Sequence, residues 1–320
     1  KKHEHFMNSF KHFKTEIEGL HIHFVHEHID IRKKAQIVPI LILPSSFSSF
    51  WNFFKVIPIL SNPSRYGYDF GLNDNLIFNV VIPSYPMTIF SQSPRNKSID
   101  KIEVSRILHK LMSERLSYTK YVVYGDGGYG SEIGTLISTL YPSHLSAQII
   151  RDPIISINSF RRQLQLLLLS SDQTINTKTA SSSSIETIPY SSSFTNSLLY
   201  LINKLKNESN PNKSIDSEIT LDEITIASSL YLLTQSIPSH SKLISSTVPL
   251  SYLEATSSVP TFIISSQYSL HHYPLSILRH KYLNISRYDE VEKGGIMYSL
   301  TSSNELAKKI FEFIEITHID

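Results

Sequence analysis

The chain has no cysteine, which excludes disulfides, thiolate metal sites and a cysteine nucleophile together. This absence does not fix a compartment. Glycine is scarce, 10 in 320 residues, about half of the usual share of roughly 7%, so few residues are available where a tight loop needs a left-handed backbone. No apolar run approaches the roughly 18 residues of a membrane span. Neither sign of charge dominates: 30 basic residues stand against 28 acidic ones, a formal net charge of +2. That balance gives no general field for nucleic acid or an anionic membrane, so any partner has to be recognised at a local site.

What is present is enough to build a large core. The 320 residues are 41% hydrophobic and 11% aromatic, which suits one big domain or a domain with an inserted subdomain. Serine gathers at 170–197, "SSDQTINTKTASSSSIETIPYSSSFTNS", and a second polar stretch, "KNESNPNKSIDSE", runs over 206–218. Both read as loops or exposed insertions.

The order of elements points to an α/β domain. "IVPILILP" (37–44) and "FNVVIPSYP" (78–86) are short uninterrupted apolar runs, as expected of strands buried on both faces of a parallel sheet. Between them "FWNFFKVIPIL" reads as a helix. "DKIEVSRILHKLMSERL" (100–116) is an amphipathic helix with Ile102, Val104, Ile107, Leu108, Leu111 and Met112 mostly on one face. The strand "KYVVYG", a glycine-rich corner and the helix "SEIGTLISTLYP" follow. After "AQIIRDP" the alternation stops, and "QLQLLLLSS", "SLLYLINKL" and "EITIASSLYLLTQSI" look helical. It resumes with "VPTFIISSQ" (259–267) and "LNISRYDEV", and closes with the helix "SSNELAKKIFEFIEI". There Ser303 is the expected N-cap, and Leu306, Ile310, Phe311 and Ile314 form the buried stripe. A helical insertion in a parallel α/β domain is a cap over the C-terminal ends of the strands, where such folds bind ligands.

With these stretches in view, the chain resembles the epoxide hydrolases of the microsomal and juvenile-hormone type. "FKHFKTEIEGLHIHFVHEH" (10–28) is similar to that family's N-terminal segment with its "GL-x-IHF" strand. "FFKVIPIL", "VIPSYP", "YGSEIG…LYPSHL", "VPTFIISSQY" and "LAKKIFEFIE" are similar to later parts of its hydrolase domain. The resemblance implies an α/β-hydrolase fold with a parallel sheet and an inserted helical cap. It divides the chain into an N-terminal segment over 1–35, the hydrolase domain over 36–153 and 255–320, and the cap over 154–254. The family's chemistry is attack of an elbow carboxylate on an epoxide carbon, two cap tyrosines on the epoxide oxygen, and a histidine oriented by an acid that activates water against the ester.

Residue by residue, the resemblance places other groups where that chemistry would sit. Counting back from "YGSEIG", the family's G-G-D-W-G-S elbow is matched by "DGGYGS", with Gly128 at the nucleophile and Tyr129 at the tryptophan. Asp126, the nearby carboxylate, reaches the tip only if the turn is re-registered; otherwise it is a loop aspartate bonded to its own backbone. The oxyanion loop H-G-W-P-G is matched by "PSSFSS", with Pro44, Ser45, Ser46 and Phe47 and then Ser48 and Ser49. Both glycines are gone, and proline has no N–H to donate. The later glycine-rich turn is "YPMTIF". Ile296 of "KGGIM" takes the base position, Ser269 of "QYSL" the acid position, and Ile244 of "SKLISS" that of one cap tyrosine. His271 and His272 lie just beyond Ser269 and read as exposed loop histidines. Tyr190 and Tyr231 remain in the cap and read as packed side chains with a hydroxyl at an edge. Ser131 lacks the glycine spacing of a serine elbow.

Triad members act as a unit, so these losses imply an epoxide-hydrolase-like pseudoenzyme. It is expected to keep an apolar pocket for a lipid or juvenoid-like epoxide. Two alternatives stay open: a residual epoxide hydrolase with Asp126 as nucleophile and a repositioned base, and a structural or interaction protein. No cofactor is expected, and "GDGGYG" has neither dinucleotide spacing nor a following lysine–serine pair. His21 and His23 share a strand face at metal-compatible spacing, but no further ligands complete a set, so no metal is expected. The family resemblance implies the endoplasmic reticulum membrane, reached through a segment upstream of Lys1.

Overall fold

The computed structural model describes residues 2–28, 36–67, 76–94, 98–155, 195, 196, 199, 220–267, 269, 272–292 and 297–317. Among the described residues eight strands form one sheet: β1 (His12–Ile17), β2 (Leu20–Glu27), β3 (Gln36–Leu43), β4 (Leu76–Pro83), β5 (Tyr121–Gly125), β6 (Leu145–Arg151), β7 (Thr261–Ser266) and β8 (Ile285–Val291). Their order is β1-β2-β4-β3-β5-β6-β7-β8. β2 runs antiparallel to β1 and β4, and every other neighbouring pair is parallel. The doubly covered sheet explains the apolar runs. In β3, Val38, Ile40 and Ile42 pack into the cluster on one face, while Leu41 and Leu43 pack into the cluster on the other.

The helices are α1 (Lys2–Met7), α2 (Val56–Ser61), α3 (Lys101–Lys110), α4 (Tyr129–Leu140), α5 (Leu221–Leu233), α6 (Ile237–Ile244), α7 (Leu250–Glu254), α8 (Leu275–Lys281), α9 (Tyr298–Thr301) and α10 (Ser303–Ile316). α3 and α4 contribute to the apolar cluster on one face of the sheet, and α2 and α10 to that on the other. α5, α6 and α7 fall in the second part of the inserted segment. The stretch at 163–171 lies outside the described residues, as does all of 197–205 but residue 199. Among the described residues no helix is long and apolar enough to cross a membrane.

Local chemistry corrects three expectations. "FWNFFKVIPIL" is not one helix but a 3₁₀ turn, Phe50–Phe53, followed by α2. Pro58 has no N–H and is tolerated only in a first turn, so the α-helix has to begin at Val56. The turn before it is held by a reciprocal cap, with the Ser49 hydroxyl accepting from Trp51 N and Asn52 Oδ1 accepting from Ser49 N. α3 starts on the Asp100–Glu103 capping box but passes at Leu111–Arg115 into a wider turn. α10 has Ser302 rather than Ser303 as its N-cap residue, without a side-chain cap bond.

The N-terminal histidines pair with one another. His12 Nδ1 and His23 Nε2 are 2.9 Å apart, His23 Nδ1 meets Ser84 Oγ at 2.9 Å, and the two rings stack. Among the described residues no group of three or more His, Asp or Glu side chains is placed to hold a metal. Burial first, then the neighbouring His12 and Lys14, pushes the His23 pKa down to about 3. His23 is therefore neutral in the fold and takes up a proton more readily when unfolded. Its contribution to stability is complete above about pH 6.5 and is lost as the pH falls toward 3, a loss of about 3 kcal/mol at pH 4. Urea unfolding at pH 7 and pH 4 measures this; His23→Asn is expected to flatten the slope, and an unchanged slope contradicts the assignment.

Candidate functional site

The strand β5 ends at Gly125, and the chain turns through Asp126, Gly127 and Gly128 into α4. The corner residue is Gly128, with φ 56° and ψ −128°. Such a backbone is strained for any residue with a Cβ. A Cβ here would lie 2.8 Å from the Ser46 hydroxyl. The volume in which a corner side chain would stand thus belongs to Ser46. α4 closes tightly on β3, since a Cβ on Gly130 would come within 2.4 Å of the Leu43 carbonyl oxygen.

The backbone donors around this corner already have partners. Tyr129 N, the first amide after the corner, donates to Ser46 Oγ at 3.2 Å. Phe47 N, in the loop after β3, donates to His240 Nε2 at 3.0 Å. An oxyanion hole needs one amide from each of these two places, directed at an empty position. Here a hydroxyl and an imidazole accept both.

His240 reaches the corner from α6 and is fully buried. Its ring lies 4.9 Å from Phe47, 5.3 Å from Tyr231, 5.9 Å from Tyr129 and 6.3 Å from Tyr85, centroid to centroid. Accepting from Phe47 N requires an unprotonated Nε2, so the ring proton of neutral His240 sits on Nδ1. Tyr231 donates its hydroxyl to the Ser48 carbonyl at 2.8 Å, and Tyr85 donates to the Pro44 carbonyl at 2.7 Å. Burial pushes both phenols up, and at Tyr85 the neighbouring Tyr129, Tyr231 and Asp126 add to it. These rings bind the cap to the loop after β3. Together with His240 they form an aromatic cluster beside the corner.

Asp126 is fully buried, and its carboxylate does not bond its own backbone as a loop aspartate would. Its Oδ1 accepts from Arg151 Nε at 2.6 Å and from the Tyr124 hydroxyl at 2.8 Å. Arg151, at the end of β6, also pairs through Nη1 with Asp152. Asp152 in turn accepts from Ser266 N at 2.7 Å and from the Ser266 hydroxyl at 2.8 Å. One buried ionic network therefore ties the ends of β5, β6 and β7. Burial pushes the Asp126 carboxyl up against the opposing pull of Arg151. Burial opposes the charge on Arg151, but Asp126 and Asp152 outweigh it, and its net direction is up. Asp126 Oδ2 and the Tyr129 and Tyr298 hydroxyls make no hydrogen bond among the described residues.

The other positions do not converge on the corner. Ser269 donates its N–H to the Ser266 carbonyl, and His272 Nδ1 meets Ser265 Oγ at 3.1 Å beyond the end of β7. Ile244 ends α6, half-buried between the two main apolar clusters. Ser131 donates to the Gly128 carbonyl at 2.9 Å. Ile296, His271 and Tyr190 lie outside the described residues. Among the loop positions that turn left-handed without glycine are Phe47 (φ 55°), Met87 (φ 69°) and Ile89 (φ 49°). Phe47 belongs to the oxyanion-loop match, and Met87 and Ile89 to the altered "YPMTIF" turn; the scarcity of glycine has this structural consequence.

Comparison with known proteins agrees with this architecture. A family model described as epoxide hydrolase N terminus matches residues 1–53. Juvenile hormone epoxide hydrolase 1 of Ctenocephalides felis is 37% identical over 145 residues, 45% of this chain and 29% of that protein. Epoxide hydrolase 1 of Oryctolagus cuniculus is 35% identical over 172 residues, 52% of this chain and 35% of that protein. The juvenile hormone epoxide hydrolase of Bombyx mori is 25% identical over 344 residues, covering 97% and 73% of the two chains. The chain is an epoxide-hydrolase-type protein. The crystal structure of juvenile hormone epoxide hydrolase from the silkworm Bombyx mori superposes with a TM-score of 0.83 at 23% identity, covering 99% of this chain and 81% of that one. The structure of Aspergillus niger epoxide hydrolase gives 0.74 at 24%. These two likenesses establish the α/β-hydrolase fold. The matches to the flea and rabbit relatives span about a third of those proteins.

Proposed function

We propose that this epoxide-hydrolase-type chain is a pseudoenzyme that does not hydrolyse epoxides. The observation that carries the reading is the corner itself, where Gly128 offers no attacking atom and Ser46 fills the space above it. Two further features support it. The amides of Phe47 and Tyr129 are bonded to His240 and Ser46, so charge developing on an opened epoxide or an ester intermediate would have to displace protein groups to reach them. Asp126 is not placed to serve instead: attack needs a carboxylate that a substrate carbon can reach, and this one stands two positions before the corner, fully buried, with Arg151 and Tyr124 on Oδ1.

The test is diol formation from a styrene-type epoxide and from a juvenoid epoxide, using protein whose cooperative melt establishes that it is folded. The expected result is no diol above the buffer rate, and no difference between the natural chain and Asp126→Asn. Turnover that Asp126→Asn abolishes would restore the residual-hydrolase reading. The same samples examine the apolar-ligand role. Binding at the corner would have to move His240 and Tyr231, so no rise in melting temperature with the juvenoid is expected, whereas a concentration-dependent rise would establish a ligand.

A further inference from the structure

The strand β1 is one edge of the sheet, and an edge strand presents a row of backbone donors and acceptors for another chain. The phase of that row follows from the pairing with β2. The Lys11 carbonyl accepts from His26 N at 3.0 Å, so residue 11 faces β2 and, by alternation along an extended strand, so do residues 13, 15 and 17. His12, Lys14 and Glu16 therefore direct their backbone N–H and C=O groups outward. The hydrogen bond from Arg115 Nε to the Glu16 carbonyl at 2.9 Å, which reaches the strand from outside the sheet, agrees with this phase. A carbonyl oxygen has a second lone pair, so that bond leaves an acceptor site at Glu16.

Two side chains on this edge carry charges with no ion-pair partner among the described residues. Lys14 and Glu16 are exposed, and neither makes an ion pair among the described residues. At the opposite edge, by contrast, Arg287 of β8 pairs with Glu312, and Asp289 with Lys309. Phe13 is 41% exposed on the other face of β1.

We propose that β1 pairs antiparallel with β1 of a second copy of this chain, about a two-fold axis at Thr15. Symmetry and hydrogen-bond phase restrict the register. Outward-facing residues must oppose one another, which allows only pairings of even with even positions. Centring on Lys14 sets lysine against lysine, and centring on Glu16 sets glutamate against glutamate. Centring on Thr15 places Lys14 opposite Glu16 of the second copy, and Glu16 opposite its Lys14. Opposite charges then meet twice, on hydrogen-bonded pairs that exchange two backbone bonds each. The same register sets the exposed Phe13 opposite Ile17 of the second copy. This inference does not depend on whether the chain has catalytic activity.

The absence of cysteine makes the test clean. Thr15 opposes Thr15 in a pair without backbone hydrogen bonds, where the Cα atoms approach to about 4.5 Å, within the range a disulfide spans. The single variant Thr15→Cys is expected to form a covalent dimer on mild oxidation, much faster than Thr247→Cys on the exposed loop after α6. In light scattering the natural chain should have twice the monomer mass. Lys14→Glu should return it to the monomer, and Lys14→Glu with Glu16→Lys should recover the dimer. A monomeric natural chain, equal oxidation rates for the two cysteine variants, or a dimer indifferent to Lys14→Glu would overturn the proposal.

Discussion

Arg151→Met is expected to lower the unfolding free energy by about 3–5 kcal/mol, the range for removing one member of a buried ion pair and leaving the other charge without compensation. The magnitude follows from the surroundings. Arg151 is 2% exposed and Asp126 is fully buried, and the guanidinium is the group that Asp126 and Asp152 share. Methionine fills much of the stem volume, so the loss isolates charge from packing. Asp126→Asn should cost less. An asparagine Oδ1 still accepts from Tyr124 and Arg151, and Arg151 keeps Asp152. Urea unfolding of the three proteins measures both differences; a loss under 1 kcal/mol for Arg151→Met would mean that the network does not fasten the strand ends.

Gly130→Ala is the second large effect, at about 3 kcal/mol, the upper end of what a methyl forced into a full site costs. The added carbon would lie 2.4 Å from the Leu43 carbonyl oxygen and 2.7 Å from that of Pro44. Both are backbone atoms at the end of β3 and cannot swing aside like a side chain. Relief requires α4 to move off the sheet, which pulls Tyr129 away from Ser46. A thermal melt of this variant should therefore fall by several degrees, and an unchanged melt would contradict the close approach of α4 to β3.

The sheet was legible because its strands are buried on both faces and read as unbroken apolar runs: β5 and β7 lie within the stretches that periodicity marked, and β3 and β4 begin one and two residues before theirs. Helix boundaries were less legible. Pro58 splits an aromatic-rich run whose spacing alone suggests one helix, because a missing N–H is invisible to periodicity. At the corner, counting from "YGSEIG" led to Gly128, the residue with the left-handed backbone. The partners of that corner were hidden. His240 lies 193 positions from Phe47, in the polar-looking run "PSHSK", and no local pattern marks it as fully buried. Arg151 left a faint signal, a charge ending the apolar strand "AQIIRDP", where burial demands a counter-ion that only the fold identifies as Asp126.

Hydrogen exchange at the Phe47 and Tyr129 amides tests most directly the claim that the site is closed by the chain itself. Bonded to His240 and Ser46, both amides should exchange slowly, and adding a juvenoid epoxide should leave them unchanged. Fast exchange at both, or a change in protection on adding the epoxide, would show that these donors are available to a ligand and would contradict the account.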